Sequence, residues 1–340
     1  MRVLLIGGTG NISSYVTALA AQRGMDVYIL TRGKSDQSLP KGVKTIISDI
    51  TDVTGTKEKL QGLSFDVVAD FITYTPQRLG ANLEIFRDKC QQYIFVSSTS
   101  VYNPSGENLA EDAPLTNLAW DYPRDKIGCE ALLQMDARIY GTNYTIVRPG
   151  ETNGDLRIPG VFVPHPQYWS FIDRMERGQK IIVNDDGSAV RQFTHSADFA
   201  KGFVGLFMNE GAFGEIFNIT SDEVLSWLEV TEIVAEAAGV EPKIAFLPSM
   251  DIVRTLPRLS YASGDHGAAT FGTLLCSKAH SKTVDNTKIK NLVPDFQCTI
   301  SFRETMARTM EFYRRHPKYK EINDAWNRDM DYLLEHLDKS

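Results

Sequence analysis

The stretch from Leu4 to Val16, LLIGGTGNISSYV, decides the fold. An apolar run typical of a buried strand leads directly into Gly7, Gly8 and Gly10, and a helical pattern follows. Glycines at this place permit a tight turn, and they let backbone amides approach a phosphate at the N-terminus of the helix. The stretch therefore predicts a strand–turn–helix unit that binds a pyrophosphate. A glycine turn that only packs the helix on the strand is the alternative.

The rest of the first half alternates short apolar runs with helical patterns, which is typical of a parallel sheet covered on both faces. We predict an α/β fold with a Rossmann-type doubly wound sheet, whose ligands bind beyond the carboxyl ends of the strands. The rhythm breaks near Gly154. The expected organisation is a dinucleotide-binding core over 1–160, to which segments near 190–220 return, a smaller mixed α/β substrate-binding lobe over 161–316, and a charged helical tail over 317–340.

Composition excludes several classes of function. The chain has 340 residues, a formal net charge of -7 and a pI near 5.5, which argues against a nucleic-acid partner because such proteins are typically basic. No apolar run reaches membrane-spanning length, and neither the four cysteines nor the six histidines show metal-ligand spacing. We therefore expect a cytoplasmic protein without a metal, a membrane or a nucleic acid as partner.

The end of the second predicted strand indicates which dinucleotide is bound. An acidic residue there would bind the 2′-hydroxyl of NAD, but the chain has Thr31, Arg32 and Lys34. Cations suit the 2′-phosphate of NADP, so NADP is slightly favoured over NAD. Arg32 as a solvated loop arginine is the alternative. Asp49, at the end of the third predicted strand, is a candidate acceptor for the adenine amino group.

Two further stretches carry candidate catalytic groups. The strand IFVSSTSVY ends with four hydroxyl residues, Ser97 to Ser100, and the helix DYPRDKIGCEALL places Tyr122 and Lys126 one turn apart on one face. A phenol has a pKa near about 10, so it needs a neighbouring cation to act as a base at neutral pH. The pattern indicates chemistry at a carbinol carbon, in which the tyrosine takes the hydroxyl proton and a serine orients the oxygen.

The ordered set GGTGNIS, SSTSVY, YPRDK and RQFTHSADFA resembles the extended short-chain dehydrogenase/reductase family, in its NAD-dependent epimerase/dehydratase group. The resemblance implies a Rossmann core with a nucleotide-sugar-binding lobe, a Ser/Thr–Tyr–Lys triad and a homodimer through the helices after the fourth and fifth strands. It assigns the catalytic roles to Ser98, Tyr122 and Lys126. The cofactor contacts that we expect are Gly7, Gly10, Asn11, Ile12, Ser13, Thr31, Arg32, Asp49, Lys126 and Pro149.

Four residues are candidates for the substrate side. Thr99 is adjacent to the catalytic serine, and Arg191 matches an arginine that touches the diphosphate in nucleotide-sugar members of the family. His165 and Tyr168, in the stretch PHPQYW, are either pocket residues that pack on a sugar or anchors of a loop in the core.

The chain also departs from the family pattern. Dehydratases of the family carry an Asp–Glu pair where this chain has Thr99 and Ser100, so we do not expect dehydration. The second basic clamp of nucleotide-sugar members falls near 258–266, where Arg258 stands well before the Gly–Asp pair, so the resemblance alone does not assign a nucleoside diphosphate.

The expected function is that of an NAD(P)-dependent epimerase or oxidoreductase acting on a hydroxyl or keto carbon of a sugar, with a nucleotide sugar as the expected form. One alternative is an NADPH-dependent reductase of a keto-sugar or small carbonyl compound, which Arg32 and Lys34 favour. The other, from a different class, is a non-catalytic nucleotide-sensing or RNA-binding Rossmann protein, against which the Tyr–Lys pair and the acidic net charge count.

Overall fold

The computed structural model describes residues 1–34, 38–261 and 270–338. Its strands are β1 Arg2–Ile6, β2 Asp26–Thr31, β3 Lys44–Ile47, β4 Phe65–Asp70, β5 Cys90–Val96, β6 Gly106–Leu109, β7 Tyr144–Pro149, β8 Glu151–Asn153, β9 Lys180–Asn184, β10 Val190–His195, β11 Glu215–Ile219, β12 Val224–Ser226, β13 Lys243–Leu247 and β14 Lys282–Val284. The helices are α1 Ser13–Gln22, α2 Val53–Lys59, α3 Pro76–Phe86, α4 Asp121–Tyr140, α5 Trp169–Glu176, α6 Ser196–Gly205, α7 Trp227–Ala238, α8 Ser249–Thr255, α9 Thr287–Leu292, α10 Phe302–Arg315 and α11 Asp324–Leu337.

A seven-stranded parallel sheet in the order β11-β7-β5-β4-β1-β2-β3 forms the first layer of the fold. Successive side chains of a strand point to opposite faces, so a strand covered on both faces must be apolar throughout. In β1, Val3 and Leu5 pack toward α1 and α6, whereas Leu4 and Ile6 pack toward α3 and α4. The predicted doubly wound Rossmann-type sheet is confirmed.

Six of the seven strands of this sheet come from the first half of the chain, and one comes from the second half. β11, from the second half, pairs in parallel with β7 and forms the edge of the sheet. The helix α6 that precedes it packs against α1. Residues 196–219 thus belong spatially to the layer built by the N-terminal half.

The second lobe is held together by its own apolar core. Trp169, Trp227, Phe302, Tyr313 and Trp326 all contribute buried rings to this cluster. Because Trp326 lies on α11, the C-terminal helix packs into the core of the lobe. Of the three small sheets, β13-β9 lies within this lobe, whereas β12-β10-β8 and β14-β6 join the lobe to the segments that follow β7 and β5.

One stretch of this lobe differs from the expectation. The sequence predicted a loop-rich stretch from Arg258 to His280, but residues 270–273 are helical and Leu274–Lys278 form a π-helical turn. Residues 262–269, which include most of the expected position of a basic clamp, lie outside the described residues. None of the helices in the described ranges is long and apolar enough to cross a membrane.

Candidate active site

The turn after β1 has the geometry that its glycines predict. Gly7 has a φ of +81°, and a Cβ atom built on it would lie 2.3 Å from Cγ2 of Ile72. The hydroxyl of Ser13 closes the turn, since it accepts a hydrogen bond from the amide of Gly10 (2.8 Å) and donates one to the carbonyl oxygen of Gly7 (2.5 Å). Within the described part of the chain, no side chain caps the start of α1. A tight turn of this kind at an uncapped helix N-terminus fits a pyrophosphate group.

Asn11 connects this turn to the segment that follows β8. Its side-chain amide donates to the carbonyl oxygen of Thr152 (3.0 Å), and its side-chain oxygen accepts from the amide of Gly154 (2.8 Å). The side chain of this predicted cofactor residue is therefore engaged within the protein, where it fixes the glycine turn relative to the second lobe.

A cavity of about 560 Å³ lies between the glycine turn and the second lobe. We call it the main cavity. It brings together residues that are far apart in the sequence. Those predicted for the site that line it are Gly7, Gly10, Asn11, Ile12, Ser13, Tyr122, His165 and Tyr168.

Tyr122 lies in the first turn of α4 with its ring among other aromatic side chains. Its ring centroid is 5.1 Å from that of Trp120 and 6.1 Å from that of Tyr74. Burial raises the pKa of Tyr122 to about 12, and a hydrogen bond with the side chain of Ser98 opposes this rise. The positive end of the α4 dipole also favours the phenolate. Ser98 is held in a tight turn, because its hydroxyl accepts from the amide of Ser100 (3.1 Å).

Lys126 lies one turn further along α4 and is anchored to the ends of two central strands. Its ammonium group donates to the carbonyl oxygens of Thr73 (2.7 Å) and Val96 (2.8 Å) and lies 4.7 Å from the ring centroid of Tyr74. Burial lowers the pKa of Lys126 to about 8, and the charge of Asp70 opposes this. An ammonium group has three donors, and these two carbonyl oxygens accept from two of them.

The predicted adenosine end of the site lies at the ends of β2 and β3. Arg32 and Lys34 are exposed, and neither makes an ion pair with another described residue. Asp49 accepts hydrogen bonds from the amide and the hydroxyl of Thr51 (2.9 and 2.8 Å), which lower its pKa, and the charge of Arg32 lowers it further. Thr31 is the last residue of β2, and its hydroxyl accepts from the amide of Gly33 (3.3 Å). Arg32 and Asp49 therefore flank one surface beyond the strand ends.

Thr99 and Arg191 line a separate, smaller cavity of about 20 Å³, together with Glu151 and Lys282. The guanidinium group of Arg191 donates to the carbonyl oxygens of Ser277 (2.5 Å), Val190 (2.8 Å) and His280. Arg191 is not among the described residues that line the main cavity. Its contact with a diphosphate therefore stays a prediction. Pro149 is buried at the end of β7, paired with Ile219 of β11.

His165 and Tyr168 lie at the main cavity with their rings edge to face, 5.4 Å apart. Both residues line the cavity, and Tyr168 also packs against the core of the second lobe, so a role in binding a sugar stays a prediction.

Four charged residues near the predicted triad were missed by the sequence reasoning. Arg157 and Lys278 line the main cavity, and Glu151 and Lys282 line the smaller one. The only signal for the two lysines was the basic pattern SKAHSK in a stretch that looked like loop, and Glu151 stood unremarked two residues after Pro149. In the described part of the chain no group of three or more potential ligands is arranged to hold a metal ion.

The fold and the site define an NAD(P)-dependent enzyme of the extended short-chain dehydrogenase/reductase type. Residues 3–220 match the NAD dependent epimerase/dehydratase family, and the chain belongs to that family. Its relatives include proteins named as nucleotide-sugar epimerases, dehydratases and reductases.

Several relatives are similar over most of the chain. The chloroplast stem-loop binding protein of 41 kDa b from Arabidopsis thaliana is 30% identical over 261 residues, which are 72% of this chain and 65% of that protein. The 2'-dehydrokanamycin reductase of Streptomyces kanamyceticus is 25% identical over 70% of this chain and 67% of its own length. This chain thus spans about two thirds of the length of these relatives.

Solved structures share the fold. The UDP-glucose 4-epimerase from Bifidobacterium longum in complex with NAD+ and UDP superposes with a TM-score of 0.74 at 17% identity, covering 94% of this chain and 100% of that one. The epimerase Mth375 from Methanothermobacter thermautotrophicus superposes with a TM-score of 0.73 at 20% identity, covering 93% of both chains.

Proposed function

We propose that this chain catalyses reversible hydride transfer at a hydroxyl or keto carbon of a sugar, with Tyr122 as the acid–base group, Ser98 as the group that orients the reacting oxygen, and Lys126 as their cationic partner. The observation that carries this proposal is that the Tyr122 phenol, interacting with Ser98, lines the same cavity as the glycine turn from Gly7 to Ser13.

The residues present fit a nicotinamide dinucleotide. The uncapped start of α1 and the tight glycine turn, which the Ser13 hydroxyl closes, suit the pyrophosphate. The dinucleotide, when bound, supplies the hydride acceptor or donor at C4 of its nicotinamide ring. The exposed Arg32 is free to meet a 2′-phosphate, which supports NADP over NAD, and Asp49 is positioned beside it for the adenine.

The protein's own groups move the proton. In the oxidising direction, the Tyr122 phenolate accepts the proton of the substrate hydroxyl while Ser98 donates a hydrogen bond to the same oxygen. In the reducing direction, the Tyr122 phenol returns that proton to the carbonyl oxygen. Because burial raises the pKa of Tyr122 to about 12, the phenol is protonated at neutral pH, and the hydrogen bond with Ser98 and the charge of Arg157 favour its ionisation when the oxidising step requires it.

Two outcomes of this chemistry remain to be separated. An epimerase transfers hydride out and then back to the opposite face of the ketone, so it consumes no cofactor. A reductase runs in one direction, and it is favoured here by the exposed Arg32 for NADPH and by a phenol that is already protonated. Relatives with each kind of name exist, for example a 2'-dehydrokanamycin reductase and a putative UDP-glucose 4-epimerase.

The proposed substrate is a sugar, expected as a nucleotide sugar, that packs on His165 and Tyr168.

A homodimer through α3 and α4 is proposed as well, since Met135 and Ile139 on α4 are exposed by 52% and 61%. The net charge of -7 counts against a nucleic-acid partner.

Thermal unfolding and turnover assays on the purified protein distinguish these possibilities. We expect dinucleotide to stabilise the protein against thermal unfolding, with a larger shift for NADP than for NAD. With sugar substrates, retained cofactor and turnover without net NAD(P)H consumption would identify an epimerase, whereas stoichiometric NADPH oxidation would identify a reductase. Absence of any dinucleotide binding would contradict the proposal.

A further inference from the structure

Asp70, the last residue of β4, carries a completely buried carboxylate. Its oxygens accept from the amides of Ile72 and Thr73 (3.1 Å each), the hydroxyl of Thr73 (2.7 Å), the side-chain amide of Asn82 (2.9 Å) and the phenol of Tyr93 (2.7 Å). Burial and then the charge of Asp70 keep the pKa of the Tyr93 phenol well above its usual value, so that phenol stays a donor. Five donors suit an ionised carboxylate, and none of them carries a charge.

Lys126 is a buried cation on the other side of Thr73. It is 2% exposed, and its ammonium group donates to the carbonyl oxygens of Thr73 and Val96, which are also uncharged. Thr73 therefore contacts both charged groups, because its amide and hydroxyl donate to Asp70 while its carbonyl oxygen accepts from Lys126. An isolated buried charge is costly, whereas two opposite charges in the interior stabilise each other.

Asp70 is the acidic group that acts most strongly on Lys126. Burial lowers the pKa of Lys126 to about 8, and the charges of Asp70, Cys129 and Glu130 oppose this in decreasing order. Glu130 is already ion-paired with Arg148 (2.5 Å). Burial raises the pKa of the Cys129 thiol to about 12, so the thiol is uncharged at neutral pH. The charge of Asp70 therefore remains as the counter-charge of the ammonium group.

The turn that Asp70 holds also contacts the cofactor side of the site. Ile72, whose amide donates to Asp70, packs over Gly7, where a Cβ atom would lie 2.3 Å from Cγ2 of Ile72. Tyr74 lines the main cavity, and its ring centroid lies 4.7 Å from the ammonium nitrogen of Lys126. Burial and then the charge of Asp70 raise the pKa of Tyr74, so its phenol stays neutral. The turn thus lies between the glycine turn and the catalytic pair.

We propose that Asp70 is a positioning residue of the active site, which fixes this turn and keeps the ammonium group of Lys126 charged for the dinucleotide. It acts through Thr73 and is not among the residues that line the main cavity. A charged ammonium group binds an anionic dinucleotide more strongly than a neutral amine does. The inference rests on the proposed function, which makes Lys126 a contact of the dinucleotide.

The pH dependence of dinucleotide affinity tests the inference. Asp70→Asn removes the charge and keeps the size of the side chain. In the unmodified protein, the affinity for NADP should fall above about pH 8, where Lys126 loses its proton. In Asp70→Asn the fall should begin at least about one pH unit lower, since the counter-charge is gone. Isothermal titration calorimetry should then show affinities within about twofold at pH ~6 and at least about fivefold weaker binding by the variant at pH ~8.

Tyr93→Phe is the matched control. It removes one hydrogen bond to the same carboxylate and leaves the charge in place, so it should show the pH profile of the unmodified protein. Comparison at each pH cancels the titration of the ligand itself. An equal loss of affinity at every pH in Asp70→Asn would show that Asp70 serves the structure alone, and it would overturn the proposal. An affinity that is unchanged at every pH would do the same.

A double variant keeps the inference testable if Asp70→Asn does not fold. Lys126→Met removes the opposite charge, so the double variant buries neither charge. A folded double variant would support the coupling of the two charges. An unfolded one would show that the fold needs Asp70 whatever the charge of Lys126, and the proposal would be overturned.

The inference and the proposed function can fail separately, because the coupling also has a readout without ligand. The pKa of Lys126 lies below the value of about 10.4 in the unfolded chain, so its titration makes the protein more stable as pH rises. In urea denaturation, this rise should begin at lower pH in Asp70→Asn. A shifted stability profile in a protein that binds no dinucleotide would leave the coupling standing and refute the proposed function. Hydride transfer with identical pH profiles in both proteins would do the reverse.

Discussion

The two halves of the active site are built differently. The cofactor half depends on one short segment, in which residues 7–13 supply the turn, its closing hydroxyl and the start of α1. The substrate half is assembled from Glu151, Arg191 and Lys282, which come from separate strands and meet only in the folded chain. A local turn has a local sequence signature, whereas an assembled cluster has none.

α4 joins the two halves through a buried ion pair. Arg148 of β7 contacts Glu130 of α4 through two hydrogen bonds (3.0 and 2.5 Å), and Glu130 also accepts from the hydroxyl of Ser97 (2.5 Å). Glu130 lies one turn beyond Lys126 on the same helix. The ion pair thus fixes the helix that carries the catalytic pair against the ends of β5 and β7.

The largest effect on stability is expected from breaking this connection. Arg148→Met would leave Glu130 buried without its cation, which typically costs about 3–5 kcal/mol of unfolding free energy. Urea denaturation measures the change. The control is Arg254→Met, which removes an exposed ion pair with Asp251 and should cost no more than about 1 kcal/mol. Equal effects of the two changes would show that α4 is held by other contacts.

The cofactor half is tested by Gly7→Ala. The added methyl group would collide with Ile72 and be strained at a positive φ, and both effects would displace the turn proposed to bind the pyrophosphate. We expect dinucleotide affinity to fall by about 100-fold or more, which corresponds to about 2.7 kcal/mol. Isothermal titration calorimetry gives the affinity.

Gly24→Ala separates backbone strain from ligand contact. Gly24 has a φ of +74°, and a Cβ there would meet nothing within 4 Å among the described residues. This variant should lose some stability and keep its dinucleotide affinity. A similar loss of affinity in both variants would mean that strain alone explains the effect.

A smaller effect is expected at the adenosine end. Arg32→Ala should weaken NADP binding by about tenfold, because a charge-assisted contact to the 2′-phosphate is lost, and leave NAD binding unchanged. Competitive titration with the two dinucleotides checks this. Equal weakening for both would show that Arg32 does not read the 2′-phosphate.

A further effect concerns pH in the substrate half. Lys278 and Lys282, whose charged neighbours are Glu151, Arg157 and Arg191, have pKa values lowered to about 8 and about 7, below the value of about 10.4 expected in the unfolded chain. Between pH 7 and 8.5 the unfolded chain therefore binds more protons, so these lysines make the protein more stable as pH rises.

The slope of unfolding free energy against pH is obtained from urea denaturation at several pH values in chloride buffer. A double variant with both lysines changed to Met is the reference, since other titrating groups are common to both proteins. An identical slope in the two proteins would contradict the lowered pKa values.

The contrast between the halves explains what the sequence could predict. The continuous apolar run of β1 and the turn at Gly7 are each visible in neighbouring residues, so the Rossmann-type sheet was predictable. The placement of Tyr122 and Lys126 on one face was likewise predictable, because it depends only on their spacing within one helix. The return of β11 to the sheet depends on pairing across more than 60 residues, and the sequence reasoning anticipated it only as a return of segments near 190–220.

The substrate half was less predictable, because two of its charged residues lie in a stretch whose sequence resembles a loop. Lys278 and Lys282 resemble solvated lysines in the sequence, and only folding brings them to Glu151. Arg191 was predicted from a resemblance, which gave its place near the site but not its hydrogen bonds to the carbonyl oxygens of 277–280.

The central claim is that Tyr122 moves the proton during nicotinamide-dependent chemistry on a sugar. Tyr122→Phe removes only the phenolic oxygen, so single-turnover hydride transfer should slow by about 10²–10⁴-fold while dinucleotide affinity stays within about twofold. Tyr140→Phe, at the exposed end of the same helix, serves as the control and should react at the unmodified rate. Hydride transfer at an unchanged rate in Tyr122→Phe would contradict the claim.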